Sequence, residues 1–425
     1  MNVERIMLKP GVWLNYVASD RFKTGCFSFN LLQPLREADA APSALIPSVL
    51  LRGCEGYADM QAISHRLDTL YGASTGTLVR KKGEVQTIGL YADFLEDRYA
   101  GGEPLFQEMM DLVQRLLFAP CRAAGGFLEE YLSGERRNLE NTIAARINEK
   151  RAYAIHRLLA QMCRGEAYAV PRLGEANTLA DLTGRSLWQR WQAMLLRCPV
   201  ELFYLGQQPK EAVIPVLQAM ADRLSSGCER TMPVTDCTIP QREVQEIEEA
   251  MDVTQGKLTL GLRTEITVKD PRYPAMMLLN AVYGAGMTSK LFLKIREEQS
   301  LCYYANSSVD KFKGVMIVGA GIDFQQKQVA RDGILEQLRF CQSGEITEEE
   351  LESARSYLIS ALRTGCDSPG RLDDYAVGQA VAGQQGAMED LARQIAAVTK
   401  EQVVEAANTL RLDSVYFLKG VQVCE

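Results

Sequence analysis

Hydrophobic residues follow the same succession of spacings twice along this chain of 425 residues. Short apolar runs bounded by turn residues predict strands, and apolar residues three or four positions apart predict helices. In the first half this pattern predicts a strand, two helices and a hairpin, at Thr24–Gln33, Pro42–Leu51, Met60–Leu70, Thr75–Val79 and Val85–Tyr91. The second half repeats the order at Leu258–Arg263, Pro274–Tyr283, Ser289–Glu298, Leu301–Ala305 and Val315–Ile322. The pattern therefore predicts two homologous repeats.

The downstream parts of the two halves also correspond. Each continues with an amphipathic helix, a long and mostly helical stretch, a further helix and a last strand. These segments are Pro104–Phe118, Gly126–Met162, Leu179–Leu196 and Val200–Gly206, then Lys327–Cys341, Thr347–Val381, Ile395–Leu410 and Ser414–Gly420. The order predicts an α+β fold of two halves, each a mostly antiparallel sheet covered by helices. We place the first repeat at 1–224, a polar linker with two prolines at 225–244, and the second repeat at 245–425.

The stretch Met287–Ile322 carries the candidate chemistry. Its apolar spacing predicts a helix that ends near Gln299, followed by a hairpin that turns at Gly314. Arg296 then leaves the last turn of a helix, and Tyr303 lies on the strand that follows. Across such a tight bend the two side chains can converge on one point. The alternative is an arginine at a helix end and a half-buried strand tyrosine with no shared role.

The residues around this pair resemble the insulinase/pitrilysin-like zinc peptidase family. Its members carry Leu-Arg-Glu at a helix end and Gly-Leu-Ala-Tyr-Ser on a strand, where this chain has Ile295-Arg296-Glu297 and Leu301-Cys302-Tyr303-Tyr304. The segment Tyr168–Glu175 also resembles the family's Pro-x-x-Gly-Thr-Glu turn. The resemblance implies that Arg296 and Tyr303 hold the substrate backbone and help to stabilise the tetrahedral intermediate. A guanidinium offers parallel donors to carbonyl groups, and a phenol donating to an oxyanion contributes ~3–4 kcal/mol.

The zinc motif of the family is missing from this chain. Active members carry His-x-x-Glu-His on a first-half helix, whose imidazoles bind zinc with a later glutamate while the internal glutamate activates water. The matching positions here are Ala44, Pro47 and Ser48. No other register restores the motif, because the chain has only two histidines, His65 and His156. The third ligand of the family falls near Glu135, Glu140 and Thr142. The resemblance thus implies that this chain binds no metal and is no zinc peptidase by itself.

Composition and charge exclude several other classes of function. The net charge of −7 and the pI near 5.3 argue against nucleic acid as a main partner, and we expect Arg80-Lys81-Lys82 to be solvated turn residues. No segment has the ~18–20 apolar residues of a membrane span or the apolar core of a signal peptide. Eleven cysteines without C-x-x-C pairs suggest buried thiols in a reducing compartment, so we expect a cytoplasmic protein.

Three other candidate sites have structural explanations that we favour. We expect His65 and His156 to be surface or packed imidazoles rather than ligands. Gly284-Ala-Gly286 lacks the G-x-x-x-x-G-K-[ST] spacing that wraps a phosphate, and it joins two predicted helices. Cys302 would need a nearby base to act as a nucleophile, and two histidines offer little choice. We therefore expect a buried thiol at Cys302.

Family knowledge suggests how a chain without a metal could still serve proteolysis. In several bacterial and organellar members, one chain contributes the zinc motif and a second contributes the substrate-holding pair. This chain resembles the metal-free proteins encoded in Gram-positive bacteria beside a zinc-bearing paralogue. The resemblance implies a non-catalytic subunit of a heterodimeric peptidase for small or extended peptides, with zinc in the partner and a homodimer when the partner is absent. The alternative is an inert scaffold protein, like the respiratory-complex core subunits of this family.

Overall fold

The chain divides into two compact units. A computed structural model describes residues 3–225 and 229–421. Unit 1 comprises Met1–Ala144, Val170–Val234 and Ser368–Ala387, and unit 2 comprises Ala145–Ala169, Thr235–Asp367 and Met388–Glu425. The division predicted from the sequence follows chain order, whereas each of these units contains one segment from the other half of the chain. Residues 226–228 of the predicted linker lie outside the described residues.

The described residues form 13 strands and 13 α-helices. The strands are β1 (Glu4–Lys9), β2 (Val12–Ala18), β3 (Thr24–Pro34), β4 (Ser74–Lys82), β5 (Val85–Leu95), β6 (Arg122–Ala123), β7 (Gly126–Phe127), β8 (Val200–Gly206), β9 (Gln245–Met251), β10 (Gly256–Arg263), β11 (Cys302–Asp310), β12 (Val315–Ile322) and β13 (Arg411–Gly420).

The α-helices are α1 (Glu37–Leu50), α2 (Met60–Thr69), α3 (Leu105–Phe118), α4 (Glu129–Ala144), α5 (Lys150–Met162), α6 (Gly184–Arg197), α7 (Lys210–Asp222), α8 (Tyr273–Tyr283), α9 (Lys327–Ser343), α10 (Glu348–Gly365), α11 (Pro369–Ala382), α12 (Met388–Ala396) and α13 (Lys400–Asn408). A π-helix spans Leu291–Glu298. Short 3-10 helices lie at Asp97–Ala100, Ala145–Asn148, Ala167–Ala169, Ala176–Leu179 and Phe324–Gln326.

Unit 1 is built on a six-stranded sheet in the order β1-β2-β8-β3-β5-β4, in which only β2 and β8 are parallel. Helices α1, α3 and α6 pack on it through a core that includes Phe29, Leu90 and Trp191, all fully buried. Helix α11 packs on β3 and β8. The predicted sheet, mostly antiparallel and covered by helices, is confirmed for this unit.

Unit 2 is built on a five-stranded sheet in the order β11-β12-β10-β13-β9, in which only β13 and β9 are parallel. Helices α8, α9 and α13 pack together around a core with Leu260, Leu279 and Val318, and α5 packs on β10 and β13. The predicted hairpin of β11 and β12 is confirmed. It turns at Gly314, whose φ of 71° is the left-handed conformation that glycine adopts without strain.

Several features of the fold differ from the sequence prediction. The strands β1, β2 and β9 and the helix α7 were not predicted. Both β1 and β9 are edge strands whose charged, partly exposed residues dilute the apolar signal. Helix α1 begins at Glu37, five residues before the predicted start, and continues through both Pro42 and Pro47. A proline usually opens a helix because it lacks the backbone N–H, and this preference misplaced the start.

Candidate functional site

Helix α1 carries the positions that correspond to the family's zinc motif. Ala44 and Pro47 are buried and Ser48 is half-buried. Pro47 has no N–H with which to bond the carbonyl of Ser43, and the Ser43 hydroxyl is itself buried without a partner. The position of the family's general base therefore holds a proline. Its side chain cannot accept a proton, and its backbone cannot donate the helical hydrogen bond to Ser43.

A cavity of about 400 Å³ in unit 1 adjoins these positions. Ala44 and Ser48 line it, together with β4 and α4. Among the three candidates for the family's third ligand, Glu135 and Thr142 line this cavity and Glu140 does not. The Glu135 carboxylate accepts hydrogen bonds from Arg52 Nη1 at 3.1 Å and from Asn138 at 3.2 Å. The Glu135 carboxylate on this cavity thus already has partners within its own chain.

These residues do not fit a zinc ion. Zinc in proteins takes three or four nitrogen, sulfur or oxygen ligands, and the family's two histidine positions here supply only a methyl group and a hydroxyl, while the general-base position holds a proline. Over residues 3–225 and 229–421, no three His, Cys, Asp or Glu side chains lie close enough together to hold a metal. His65 is exposed on α2, and His156 on α5 lies 3.1 Å from Arg146 Nη1.

The basic residues at the end of β4 are not solvated turn residues, so that expectation was wrong. Arg80 donates to Asp373 at 2.5 Å, and the Asp373 side chain is only 3% exposed. Ser28 donates to the other oxygen of Asp373 at 2.6 Å. Lys82, 5% exposed, bonds Asp374 at 2.8 Å. Burial lowers the Lys82 pKa despite that carboxylate. The strand places Arg80 and Lys82 on one face, where both hold α11.

The corner between the π-helix and β11 is irregular in three ways. The hydrogen bond from Gln299 N–H to Lys294 O, at 3.1 Å, has the five-residue spacing of a π-helix. Ser300 then adopts a φ of 51°, uncommon for a residue other than glycine. The pairing of β11 with β12 shifts between Cys302 and Tyr304, so Tyr303 is the extra residue of a β-bulge. Such irregularities are frequent next to functional sites.

Arg296 lies on a helix and Tyr303 on the following strand, as predicted, but the helix is a π-helix. The Arg296 side chain is 41% exposed, lies 4.7 Å over the Phe292 ring and is 3.4 Å from Glu297. Tyr303 is 62% exposed, and its hydroxyl donates to Asp323 at 3.2 Å. No hydrogen bond joins Arg296 to Tyr303 among the described residues. Their shared role in substrate binding therefore stays a prediction.

The Cys302 thiol was considered as a nucleophile in the sequence analysis. Cys302 is buried as expected. Burial raises its pKa to about 11, although Arg296 acts in the opposite direction, so the thiol is a poor nucleophile at neutral pH.

Asp323, the partner of Tyr303, was not predicted. An aspartate directly after a strand is a usual helix-capping signal, and that signal alone would not single it out. The structure describes no helix with the length and hydropathy to cross a membrane.

Comparison with known proteins identifies the family. The family described as "Peptidase M16 inactive domain" matches residues 194–358, which include Arg296 and Tyr303. The chain is 31% identical over 415 residues to "Probable inactive metalloprotease YmfF" of Bacillus subtilis (strain 168), covering 97% of this chain and 96% of that protein. It is 24% identical over 267 residues to "Uncharacterized zinc protease YmxG" of the same organism, covering 60% and 62%.

A solved structure supports the same assignment. The crystal structure of a conserved protein from Enterococcus faecalis V583 matches with a TM-score of 0.92 and 27% identity, over 100% of both chains. The match therefore covers both units and not one motif. Together with the near full-length similarity to an inactive metalloprotease and the unsuitable residues on α1, it leads to one conclusion. The chain belongs to the M16, or insulinase-like, peptidase family, as an inactive member of it.

Proposed function

We propose that this chain is the substrate-positioning, non-catalytic subunit of a heterodimeric M16 metallopeptidase that acts on small or extended peptides. Arg296 and Tyr303 would contact the peptide, and a zinc-bearing paralogue would supply the metal that activates water. The observation that supports this most is the exposure of both side chains at an irregular corner. Neither contributes to a buried cluster, so a role toward another molecule explains them better than a role in folding.

The partner is inferred from two facts about this chain and its relatives. The residues on α1 do not fit zinc, so zinc-dependent peptide cleavage needs a second chain. Bacillus subtilis, the source of the similar inactive protein, also has a relative named as a zinc protease. We infer a partner of that second kind, with a homodimer as the state of this chain alone.

Co-expression with the zinc-bearing paralogue of the same genome tests the proposal. Size-exclusion chromatography of the mixture is expected to give a complex of one chain of each kind. That complex should cleave unfolded peptides, and this chain alone should cleave none. Elemental analysis of the tag-free single chain is expected to find no stoichiometric zinc. A paralogue that neither associates with this chain nor changes in activity when this chain is added would contradict the proposal.

An inert scaffold of the same fold is the second candidate. The observation that favours it is that Arg296 and Tyr303 both have acidic partners within their own chain, Glu297 and Asp323. Those contacts could be the whole role of the pair. The scaffold function predicts a stable complex with another chain whose peptide cleavage does not change when Arg296 or Tyr303 is substituted.

A further inference from the structure

Asp323 directs its side chain to Tyr303 instead of to its own helix. It follows β12 and occupies the N-cap of the 3-10 helix Phe324–Gln326, yet its side chain makes no capping hydrogen bond. An aspartate at a helix N-cap usually accepts a bond from a backbone N–H one turn on. Here Oδ1 of Asp323 accepts from the Tyr303 hydroxyl at 3.2 Å. The carboxylate is thus used to orient the phenol.

The β-bulge explains how Tyr303 reaches this partner. Cys302 pairs with Ile322 and Tyr304 pairs with Gly321, so Tyr303 has no partner of its own on β12. A bulge re-aims the side chain of its extra residue. The Tyr303 hydroxyl reaches Asp323, the first residue after β12, while the side chain remains 62% exposed.

The position of the hydroxyl proton decides what Tyr303 can bind. A phenol has one proton, and an ionised carboxylate can only accept a hydrogen bond. The proton therefore lies in the bond to Asp323, and the hydroxyl oxygen offers a ligand its lone pairs. A guanidinium, by contrast, can only donate. The two exposed groups of this corner then have opposite hydrogen-bonding character, as the carbonyl and the N–H of a peptide backbone do.

We infer that Asp323 is a positioning residue that makes Tyr303 an acceptor for a backbone N–H of the peptide, while Arg296 binds a backbone carbonyl. This inference deepens the proposed function and rests on it. It changes the expected role of Tyr303, because a hydroxyl whose proton is held by Asp323 does not donate to a developing oxyanion. Tyr303 then holds substrate throughout the reaction and does not act in the transition state alone.

A double-mutant cycle in the reconstituted complex tests the inference. Tyr303→Phe is expected to raise KM about two- to ten-fold, the effect of one hydrogen bond, with kcat little changed. Asp323→Ala should raise KM similarly, since the proton can then turn toward the substrate N–H. Asp323→Ala should add nothing in the Tyr303→Phe background, because it acts through the hydroxyl. Asp332→Ala, which removes an exposed carboxylate from α9, is the matched control and should change neither constant.

A substrate change probes the same bond from the other side. Replacing one backbone N–H near the cleaved bond by an ester oxygen removes the donor and keeps the shape of the chain. The resulting rise in KM should be smaller with Tyr303→Phe than with the unmodified chain. The inference is overturned, and the proposed function retained, if Tyr303→Phe lowers kcat at unchanged KM or if the two substitutions are additive. Unchanged cleavage by both Arg296→Ala and Tyr303→Phe would overturn both.

Discussion

Each unit has a helix-to-strand corner that leads into an edge strand, and the two corners differ in regularity. In unit 1, α2 is an ordinary α-helix capped by Asp59, and β4 pairs with β5 without a break from Ser74 to Lys82. In unit 2 the helix is a π-helix and the strand begins with a bulge. Both corners contain a left-handed residue other than glycine, Tyr71 and Ser300. The π-helix and the bulge therefore distinguish the second corner, and they present the candidate side chains.

Two arginines, one on the strand that follows the first corner and one on the helix that precedes the second, show what this difference means. Arg80 on β4 is 20% exposed and bonds a buried carboxylate. Arg296 on the π-helix is 41% exposed, and its nearest carboxylate is an exposed neighbour in sequence. Removing one member of a buried ion pair leaves an uncompensated charge, whereas an exposed pair contributes little. One arginine is thus expected to matter for stability and the other for activity.

The largest effect is expected from Asp373→Ala in unit 1. The substitution removes the shorter ion pair of Arg80, which then keeps only the exposed Asp374 at 3.7 Å, and it leaves Ser28 without its acceptor. We expect the free energy of unfolding to fall by about 3–5 kcal/mol, measured by urea denaturation. The matched control is Asp111→Ala, which removes a carboxylate from an exposed pair with Arg115 in the same unit and should cost less than about 0.5 kcal/mol. Equal losses in both variants would remove the contrast between buried and exposed pairs.

The next effect is expected from Arg296→Ala, and on activity alone. In the reconstituted complex, kcat/KM should fall roughly ten- to a thousand-fold, because a contact to the substrate backbone is lost. The free energy of unfolding should stay within about 0.5 kcal/mol of the unmodified chain. A stability loss as large as that of Asp373→Ala would show that Arg296 has a structural role and would favour the scaffold function.

A third experiment asks whether the contrast depends on burial or on the unit. Unit 2 has its own buried arginine, Arg263, which bonds Glu166 at 2.6 Å and Asp413 at 2.9 Å. Burial raises the pKa of Glu166, but hydrogen bonds from Arg263 and Lys313 outweigh it and hold that pKa below its ordinary value of 4.5. Since the folded-state pKa is depressed, this stabilisation is present above pH 4.5 and is lost as the pH falls through the folded-state pKa.

Glu166→Gln should therefore destabilise the chain by about 1.5–3 kcal/mol at neutral pH, the contribution of a hydrogen bond to a charged group. It should also reduce the loss of stability on acidification below pH 4.5. Urea denaturation at a series of pH values measures both quantities. An unchanged pH profile in Glu166→Gln would show that Glu166 is not a source of the acid sensitivity.

The smallest effect is expected from Lys294→Ala, on the same π-helix as Arg296. Lys294 forms an exposed pair with Glu298 at 2.6 Å, four residues on. Such pairs contribute about 0.3–0.5 kcal/mol, and nothing in the structure gives Lys294 a role toward substrate. Stability and cleavage should both stay near those of the unmodified chain. A large loss of cleavage would show that positive charge on this helix matters in general, and not Arg296 in particular.

Periodicity in the sequence predicted most of the fold, because buried strands and amphipathic helices repeat their apolar residues at fixed spacings. The strands Val200–Gly206 and Val315–Ile322 are examples with correct bounds. Edge strands such as β9 have a weaker signal, since they alternate charged and partly buried residues. The start of α1 could not be predicted from residue preferences, because prolines rarely lie inside a helix and tertiary packing keeps Pro42 and Pro47 inside this one.

The candidate site was predictable only in its residues. Arg296 and Tyr303 were found through resemblance to a family motif, and nothing in their spacing predicted a π-helix or a bulge. The π-helix is defined by a backbone hydrogen bond of five-residue spacing, and the bulge by the pairing of β11 with β12. Neither hydrogen-bonding pattern follows from the local spacing of apolar residues. Arg80 was misjudged for a related reason, because its partner Asp373 lies 293 residues away along the chain. A charged residue can be recognised as buried only when the segment that covers it is known.

The exchange of Ala145–Ala169 and Ser368–Ala387 between the units has a consequence for how this chain can be divided. A gene cut at the linker 225–244 would give two products, each without the segment that packs in its own unit. One would lack the carboxylates of Asp373 and Asp374, which pair with Arg80 and Lys82, and the other would lack Glu166, which pairs with Lys313 and is one of two carboxylates on Arg263. We therefore expect that neither sequence repeat folds on its own when the chain is cut at that linker.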